Sequence, residues 1–155
     1  ATVGLFQDTV NRIVLLAIFI PVLSGQCSNT GCQSLAVTLR GMTLGEVRSS
    51  QATVLMAKEA LLGFVNGALT GLVAAAAMFI MARMQQHPQP LMLALITFTA
   101  MTASCAISGM AGAAVPLVLK RLGADPATAS SIFLTTATDV VSMGLFLGLA
   151  AAFVM

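Results

Sequence analysis

The sequence predicts an all-α membrane protein, a polytopic bundle of about four full transmembrane helices, the first of them broken, plus the end of a fifth. Seven Lys or Arg and five Asp or Glu give 12 charged residues among 155, or 8%, against about 25% in soluble domains. Hydrophobic residues make up 58% of the chain, and its mean hydropathy is +0.98. These values exclude a disordered chain, a nucleic-acid-binding protein and an ordinary soluble enzyme, because too few charges remain to cover a soluble surface.

Four stretches with at most one charged residue place these helices. Their lengths are 27, 23, 36 and 30 residues, and about 20 apolar residues suffice to cross a bilayer. The predicted spans are 10–39, 57–82, 90–119 and 127–153. The third stretch is predicted to hold one helix rather than two, because residues 85–90 near its start are polar and rich in proline.

Residues 1–155 are expected to form a single transmembrane domain with no soluble regulatory domain. Residues 1–6 lack the charged region and cleavage site of a signal peptide. We expect them to be the end of an earlier helix, as in a domain excised from a longer protein.

Basic residues near the helix ends predict the orientation of the chain. Five Lys or Arg residues lie in segments 40–58 and 120–126, against two, Arg12 and Arg83, on the other side. Cytoplasmic loops carry the excess of Lys and Arg, so both segments are expected in the cytoplasm. The 83–90 loop and the C-terminus then face outward across a cell (inner) membrane.

A break is expected in the first span. Pro21 removes an amide donor, Gly25 follows it, and residues 24–34 are mostly small and polar. Unpaired backbone groups are tolerated at membrane depth only where they are buried in protein or line a watery cavity. The favoured interpretation is a polar cavity near the membrane midplane, and the alternative is a proline kink sealed by Ser and Thr hydroxyls.

Three glycines in the second span, Gly63, Gly67 and Gly71, recur at four-residue spacing and share one helix face. Helices in lipid associate through close packing, which small residues permit. The stripe is therefore predicted to be a helix-packing face rather than part of a transport path.

Asp139 is the only acid expected well inside a span, where a charge costs about 2.5–3.5 kcal/mol on insertion scales. Hydroxyl side chains recur at helical period around it and form a polar stripe: Thr128, Ser131, Thr135, Thr136 and Ser142. Hydroxyls with one carboxylate are typical of the wall of a hydrated cation path, so Asp139 is the predicted metal-binding residue. The alternative is a protonated, hydrogen-bonded structural aspartate.

One carboxylate per chain is a weak site for a divalent cation, and four helices barely enclose a pore. A two-fold homodimer in the bilayer addresses both limits, because two copies of Asp139 near the axis supply two negative charges. Two-fold dimers are also the commonest assembly. Mg²⁺ suits such a site, since it keeps most of its waters and is commonly held by one or two carboxylates.

Several motifs resemble those of the MgtE family of magnesium channels. Residues 21–34 contain Pro-x-x-x-Gly followed by Asn-x-Gly-x-Gln-Ser, and Arg-Gly follows at 40–41, similar to the signature of the family. Lys-Glu at 58–59, ahead of the glycine stripe, is similar to its next helix. Residues 113–116, 123–127 and 135–139 resemble its last two helices, so the matches run from about residue 13 to 150.

The resemblance implies a homodimeric, ion-conducting Mg²⁺ channel whose pore lies at the dimer interface between the broken helix and the last helix. Asp139 would bind Mg²⁺ largely through water. Four residues of the signature would line the pore or support its filter: Asn29, Gly31, Gln33 and Ser34.

Two departures from the family pattern are visible. Ser28 stands where the family usually has Gly before the Asn. The cytosolic N-terminal domain and the CBS domains that sense Mg²⁺ in the family have no counterpart in these 155 residues. We expect these regulatory domains to be missing partners of an excised domain.

Two other functions stay open at this point. A proton-coupled small-molecule exporter would use Asp139 as its coupling acid, although the chain contains no Trp or Tyr to stack an organic substrate. An anchor or assembly subunit would use the polar stripe as a helix–helix interface. An enzyme is not expected, because His87 stands alone in a loop and no nucleophile–histidine arrangement is visible.

Overall fold

Four long helices make up most of the computed structural model, which describes residues 14–46 and 52–154, without the side chains of 127–130. Their bounds are Val14–Thr43 for α1, Ala52–Met84 for α2, Pro90–Arg121 for α3 and Pro126–Val154 for α4. Each contains a segment long and apolar enough to cross a membrane. The predicted all-α membrane fold is confirmed, and each helix overlaps one predicted span. Residues 1–6, expected to end an earlier helix, lie outside the described residues.

The structure differs from the expectation in the first span, where α1 is one continuous helix with Pro21 inside it. Pro21 lies in the second turn after Val14, where its missing N–H removes a single hydrogen bond of the ladder. The polar segment 24–34 is fully helical, and Thr30 donates its hydroxyl to the Gln26 carbonyl at 3.0 Å. This segment therefore offers side chains, and not freed backbone carbonyls, to its surroundings.

Helix α3 is the centre of the bundle and contacts the other three helices, whereas α2 and α4 share no contact among the described residues. An apolar core joins the first half of α1, the second half of α2, the first half of α3 and the end of α4. Its largest fully buried side chains include Leu16, Met78, Leu93, Met101 and Phe146. One end of the bundle is therefore tightly filled by apolar side chains.

The glycine stripe of α2 lies directly against α3. A Cβ atom added to Gly63 would overlap the backbone carbonyl oxygen of Cys105, and one on Gly67 would lie 2.6 Å from the Cys105 Cβ. At Gly71 the added atom would lie 3.3 Å from the Cβ of Met101. The two backbones thus approach as closely as glycine allows, which is how small residues let helices pack in lipid.

Replacing Gly63 with Ala is expected to lower the free energy of unfolding by about 1–3 kcal/mol, because the new methyl group must push α2 away from α3. Thermal unfolding of the purified protein in detergent would measure the change. Gly25→Ala is the matched control, since nothing lies within 4 Å of a Cβ at that position. Equal stability of the two variants would contradict the close approach at Gly63.

Candidate functional site

Asp139 lies near the middle of α4, at the seam between this helix and α1. Its Oδ1 atom accepts a hydrogen bond from the Ser24 hydroxyl at 2.5 Å and another from the Ser28 hydroxyl at 3.2 Å. The Ser28 hydroxyl also lies 3.3 Å from the Oγ1 atom of Thr138. Two hydroxyls of α1 therefore hold the carboxylate that α4 supplies.

The geometry follows from helical periodicity. Ser24 and Ser28 are four residues apart, so both point from the same face of α1 toward α4. Burial of Gly31 against Leu134 allows this approach, since a Cβ on Gly31 would lie 3.4 Å from the Leu134 side chain. The seam is therefore close enough for short serine side chains to reach the carboxylate.

The seam places two hydrogen-bond donors at one oxygen of the Asp139 side chain. A hydroxyl that donates to a carboxylate stabilises its charged form, and a hydrogen bond to a charged group contributes about 1.5–3 kcal/mol. Both hydroxyls bond to Oδ1 and leave Oδ2 out of these contacts. The side chain is half-buried, so one edge of the carboxylate faces the outside of the four-helix unit.

The predicted polar stripe of α4 divides into two faces. Ser131, Thr135 and Thr136 are exposed on the outer face, and the Thr135 hydroxyl donates to the Ser131 carbonyl at 2.9 Å. Ser142 is buried instead, and its hydroxyl donates to the backbone carbonyl of Asp139 at 3.2 Å. The side chain of Thr128 lies outside the described residues.

The four signature residues of α1 also face different directions. Asn29 is exposed on the outer face, whereas Gly31 is buried at the α4 seam. Ser34 is buried, and its hydroxyl donates to the Gly109 carbonyl of α3 at 2.7 Å. Gln33 lines a cleft between α1 and α2, on the opposite side of α1 from Asp139. Of the four, Asn29 and Gln33 are therefore exposed, whereas Gly31 and Ser34 are buried against α4 and α3.

Sequence reasoning did not identify Ser24 and Ser28 as the partners of Asp139. Their four-residue spacing would have placed them on one face of an unbroken helix, but the expected break after Pro21 removed that regularity. The pairing of α1 with α4 is a second requirement that no local pattern reveals.

The arrangement suits a hydrated cation more than a dehydrated one. The described residues contain no group of three His, Cys, Asp or Glu side chains that could enclose a metal ion. A single carboxylate flanked by hydroxyls can attract a cation and hydrogen-bond its water shell, as Mg²⁺ sites often do.

Comparisons with known proteins agree with the sequence resemblance. Residues 20–149 match the MgtE family, described as divalent cation transporters. The chain is similar to magnesium transporters MgtE of Enterococcus faecalis (33% identity over 96% of the chain) and Bacillus subtilis (31% over 98%). It is also 25% identical over 94% of its length to the Thermus thermophilus magnesium transporter MgtE. The chain spans about a third of the length of these relatives, 31–32% of each.

A double-mutant cycle between Ser24→Ala and Asp139→Ala is expected to give a coupling energy of about 1.5–3 kcal/mol at neutral pH, because the bond links a hydroxyl to a charged group. Thermal unfolding in detergent would measure all four proteins.

Thr135→Ala paired with Asp139→Ala is the matched control cycle, since the Thr135 hydroxyl bonds to its own helix. Additive effects for Ser24 and Asp139 would contradict the hydrogen bond at the seam.

Proposed function

Because the chain belongs to the MgtE family of divalent cation transporters, we propose that it conducts Mg²⁺ across a membrane as a homodimer, with Asp139 as the ion-binding carboxylate. The ion moves passively down its electrochemical gradient. The observation that carries this proposal is the half-buried Asp139 carboxylate, held by two α1 hydroxyls at the middle of an apolar helix.

A carboxylate at this depth needs a compensating interaction, because a charge at the centre of a bilayer is energetically costly. Asp139 makes no ion pair with any residue in the described part of the chain. Its serine partners are neutral hydroxyls and provide no counter-charge. A transported cation supplies the missing positive charge.

The exposed polar side chains around Asp139 support a dimer. Asn29 and Thr136 lie on the outer surface at membrane depth, where contact with lipid tails leaves polar atoms without partners. A second copy that covers this face across a two-fold axis would enclose these groups in a water-filled path. Two Asp139 carboxylates would then match the charge of one Mg²⁺ ion.

The ion is proposed to pass with most of its water shell. Mg²⁺ gives up its waters reluctantly, and hydroxyl and amide groups along α1 and α4 can hydrogen-bond those waters. Selectivity then depends on the width of the path and on the strength with which an ion holds its shell. A membrane potential drives entry at about 2.3 kcal/mol per elementary charge per 100 mV.

The proposed orientation places the α1–α2 and α3–α4 connections in the cytoplasm and the C-terminus outside. Arg40, Lys58, Lys120 and Arg121 lie at that end of the helices, whereas Arg83 lies at the other. The excess of basic residues on one side supports this direction.

Asp139→Ala is expected to reduce Mg²⁺ flux into proteoliposomes at least tenfold while the protein still forms dimers, because the variant removes the charge that attracts the ion. A Mg²⁺-sensitive dye inside the liposomes would report flux, and light scattering coupled to gel filtration would report the dimer.

Glu46→Gln is the matched control, since this exposed acid lies beyond the end of α1 and its flux should equal that of the wild type. Unchanged flux in Asp139→Ala would contradict the proposed ion site. Displacement of Mg²⁺ by an organic cation would instead favour an exporter.

Asp139→Asn is expected to retain the fold and raise the Mg²⁺ concentration for half-maximal flux about tenfold or more, because an amide keeps the serine hydrogen bonds but loses the charge. Flux measured over a series of external Mg²⁺ concentrations would show the shift. A wild-type concentration dependence would mean that neutral oxygens, and not the carboxylate charge, bind the ion.

A further inference from the structure

We propose that the cleft between α1 and α2 is a second binding site for a hydrated divalent cation, with Glu59 as its carboxylate. This site is separate from the α1–α4 seam that holds Asp139. The identity of the ion rests on the proposed function, but the site itself follows from the burial and surroundings of Glu59.

The cleft has a volume of about 390 Å³ and opens between α1 and α2, with Gly109 of α3 at its floor. Six of its ten lining residues carry polar side chains: Thr30, Gln33, Ser34, Lys58, Glu59 and Asn66. A water molecule takes up about 30 Å³ of liquid, so an ion with six waters needs roughly 200 Å³. The cleft can therefore hold a dication with its first water shell.

The cleft exists because α1 and α2 each pack on α3 more closely than on each other. A Cβ added to Gly109 would overlap the Glu59 carbonyl oxygen, so α2 is pressed against α3 at this level. The Ser34 hydroxyl of α1 donates a hydrogen bond to the Gly109 carbonyl, so α1 is also held against α3 at this level. About two turns farther along α2, the Asn66 amide donates a hydrogen bond to the Thr30 hydroxyl at 3.0 Å. This contact joins α1 to α2 at one end of the cleft.

Glu59 is 6% exposed and lines this cleft. It lies seven residues after Ala52, about 10 Å along the helix axis. It makes no hydrogen bond or ion pair with any residue that the structure describes. The neighbouring Lys58 is exposed at the rim of the cleft and does not pair with it.

A carboxylate within a membrane-spanning helix is unfavourable when no positive charge accompanies it. Asp139 accepts hydrogen bonds from two serine hydroxyls, but Glu59 has no such donor among the described residues. Space for water and for a cation lies directly beside it. A bound dication would provide the counter-charge that the protein does not.

The neutral groups of the cleft fit a hard cation. Amide and hydroxyl oxygens together with a carboxylate are the ligands of Mg²⁺ and Ca²⁺, directly or through water. Asn66 uses its amide nitrogen to bond Thr30, which leaves its carbonyl oxygen as the acceptor. Glu59 disfavours an anion in the same space, so a phosphate group is a poor occupant.

The cleft and the Asp139 seam lie on opposite sides of α1, since Thr30 and Gln33 face α2 whereas Ser24 and Ser28 face α4. The cleft also lies in the half of the bundle beyond the apolar core, near the ends of α1 and α3 and the start of α2. Its ion would thus sit off the line of the proposed pore.

Mn²⁺ titrations of the purified full chain, followed by the loss of the free-ion electron paramagnetic resonance signal, test the proposal. In the Asp139→Asn background, one Mn²⁺ per chain should still bind, and Mg²⁺ should displace it. Adding Glu59→Gln should weaken this binding at least tenfold. Adding Glu46→Gln, the same change at an exposed position, should leave it unaltered.

Two further variants test whether the bound ion is positively charged and whether it lies in the cleft. Lys58→Gln should strengthen Mn²⁺ binding several-fold, because the rim ammonium repels a cation, and weaker binding would overturn a cation site. Gln33→Leu changes an exposed side chain and should weaken binding several-fold. It also tests the cleft if Glu59→Gln fails to fold.

The proposal is overturned if the Asp139→Asn protein binds no Mn²⁺ that Mg²⁺ displaces, or if its binding is unaffected by Glu59→Gln and by Gln33→Leu. This result is distinguishable from a failure of the proposed function, which is read from flux. Absence of Mg²⁺ flux with intact Glu59-dependent binding would reject conduction and retain the cleft site.

Discussion

Close backbone contact at glycines holds α3 against both α1 and α2, and the two polar sites depend on it. On one side, a Cβ at Gly112 would overlap the carbonyl oxygen of Gly31. On the other, Gly63 and Gly109 bring α2 to the same closeness. Lipid provides little hydrophobic driving force between helices, so this packing is what fixes their positions. Once α1 is fixed on α3, its serines are aimed at α4 and its opposite face at the cleft.

The two membrane acids illustrate different ways of keeping a carboxylate at depth. Asp139 is half-buried and accepts hydrogen bonds from two serine hydroxyls of α1. Glu59 is almost fully buried and lines an open cleft, with no donor among the described residues. Position on the helix explains the contrast, because α4 at Asp139 meets serines of α1 whereas α2 at Glu59 meets the glycine backbone of α3.

The four helices could be predicted from sequence because a bilayer demands long apolar stretches, and few charges interrupt them. The position of Asp139 deep in the membrane could be predicted from the same apolar stretches, because it lies near the middle of the last one. The course of α1 could not be predicted from Pro21 alone, since one lost hydrogen bond near a helix start does not end a helix that packs well. The rotation of α1, α3 and α4 about their axes was also hidden, because apolar residues lie on every face of these helices; on α2 the glycine stripe did mark the side that packs on α3.

That ambiguity explains why two features of the polar sites could not be predicted. Ser142 shares a helical period with Thr135 and Asp139, yet its hydroxyl turns inward to the Asp139 carbonyl. Glu59 stands close to the predicted start of its span at residue 57, a position that by itself does not indicate burial. Its burial arises from the approach of Gly109, a tertiary contact between residues fifty positions apart. Local sequence contains neither fact.

The lack of contact between α2 and α4 within the described residues means that α1 and α3 are the only bridges between the two acids. On α1, Ser28 and Thr30 are two positions apart and engage opposite neighbours, Asp139 and Asn66. A sideways shift of α1 toward α4 that shortened the Ser28 contact would lengthen the Thr30 contact with α2. The position of α1 therefore links the two sites geometrically, because any movement of this helix toward the seam is a movement away from the cleft.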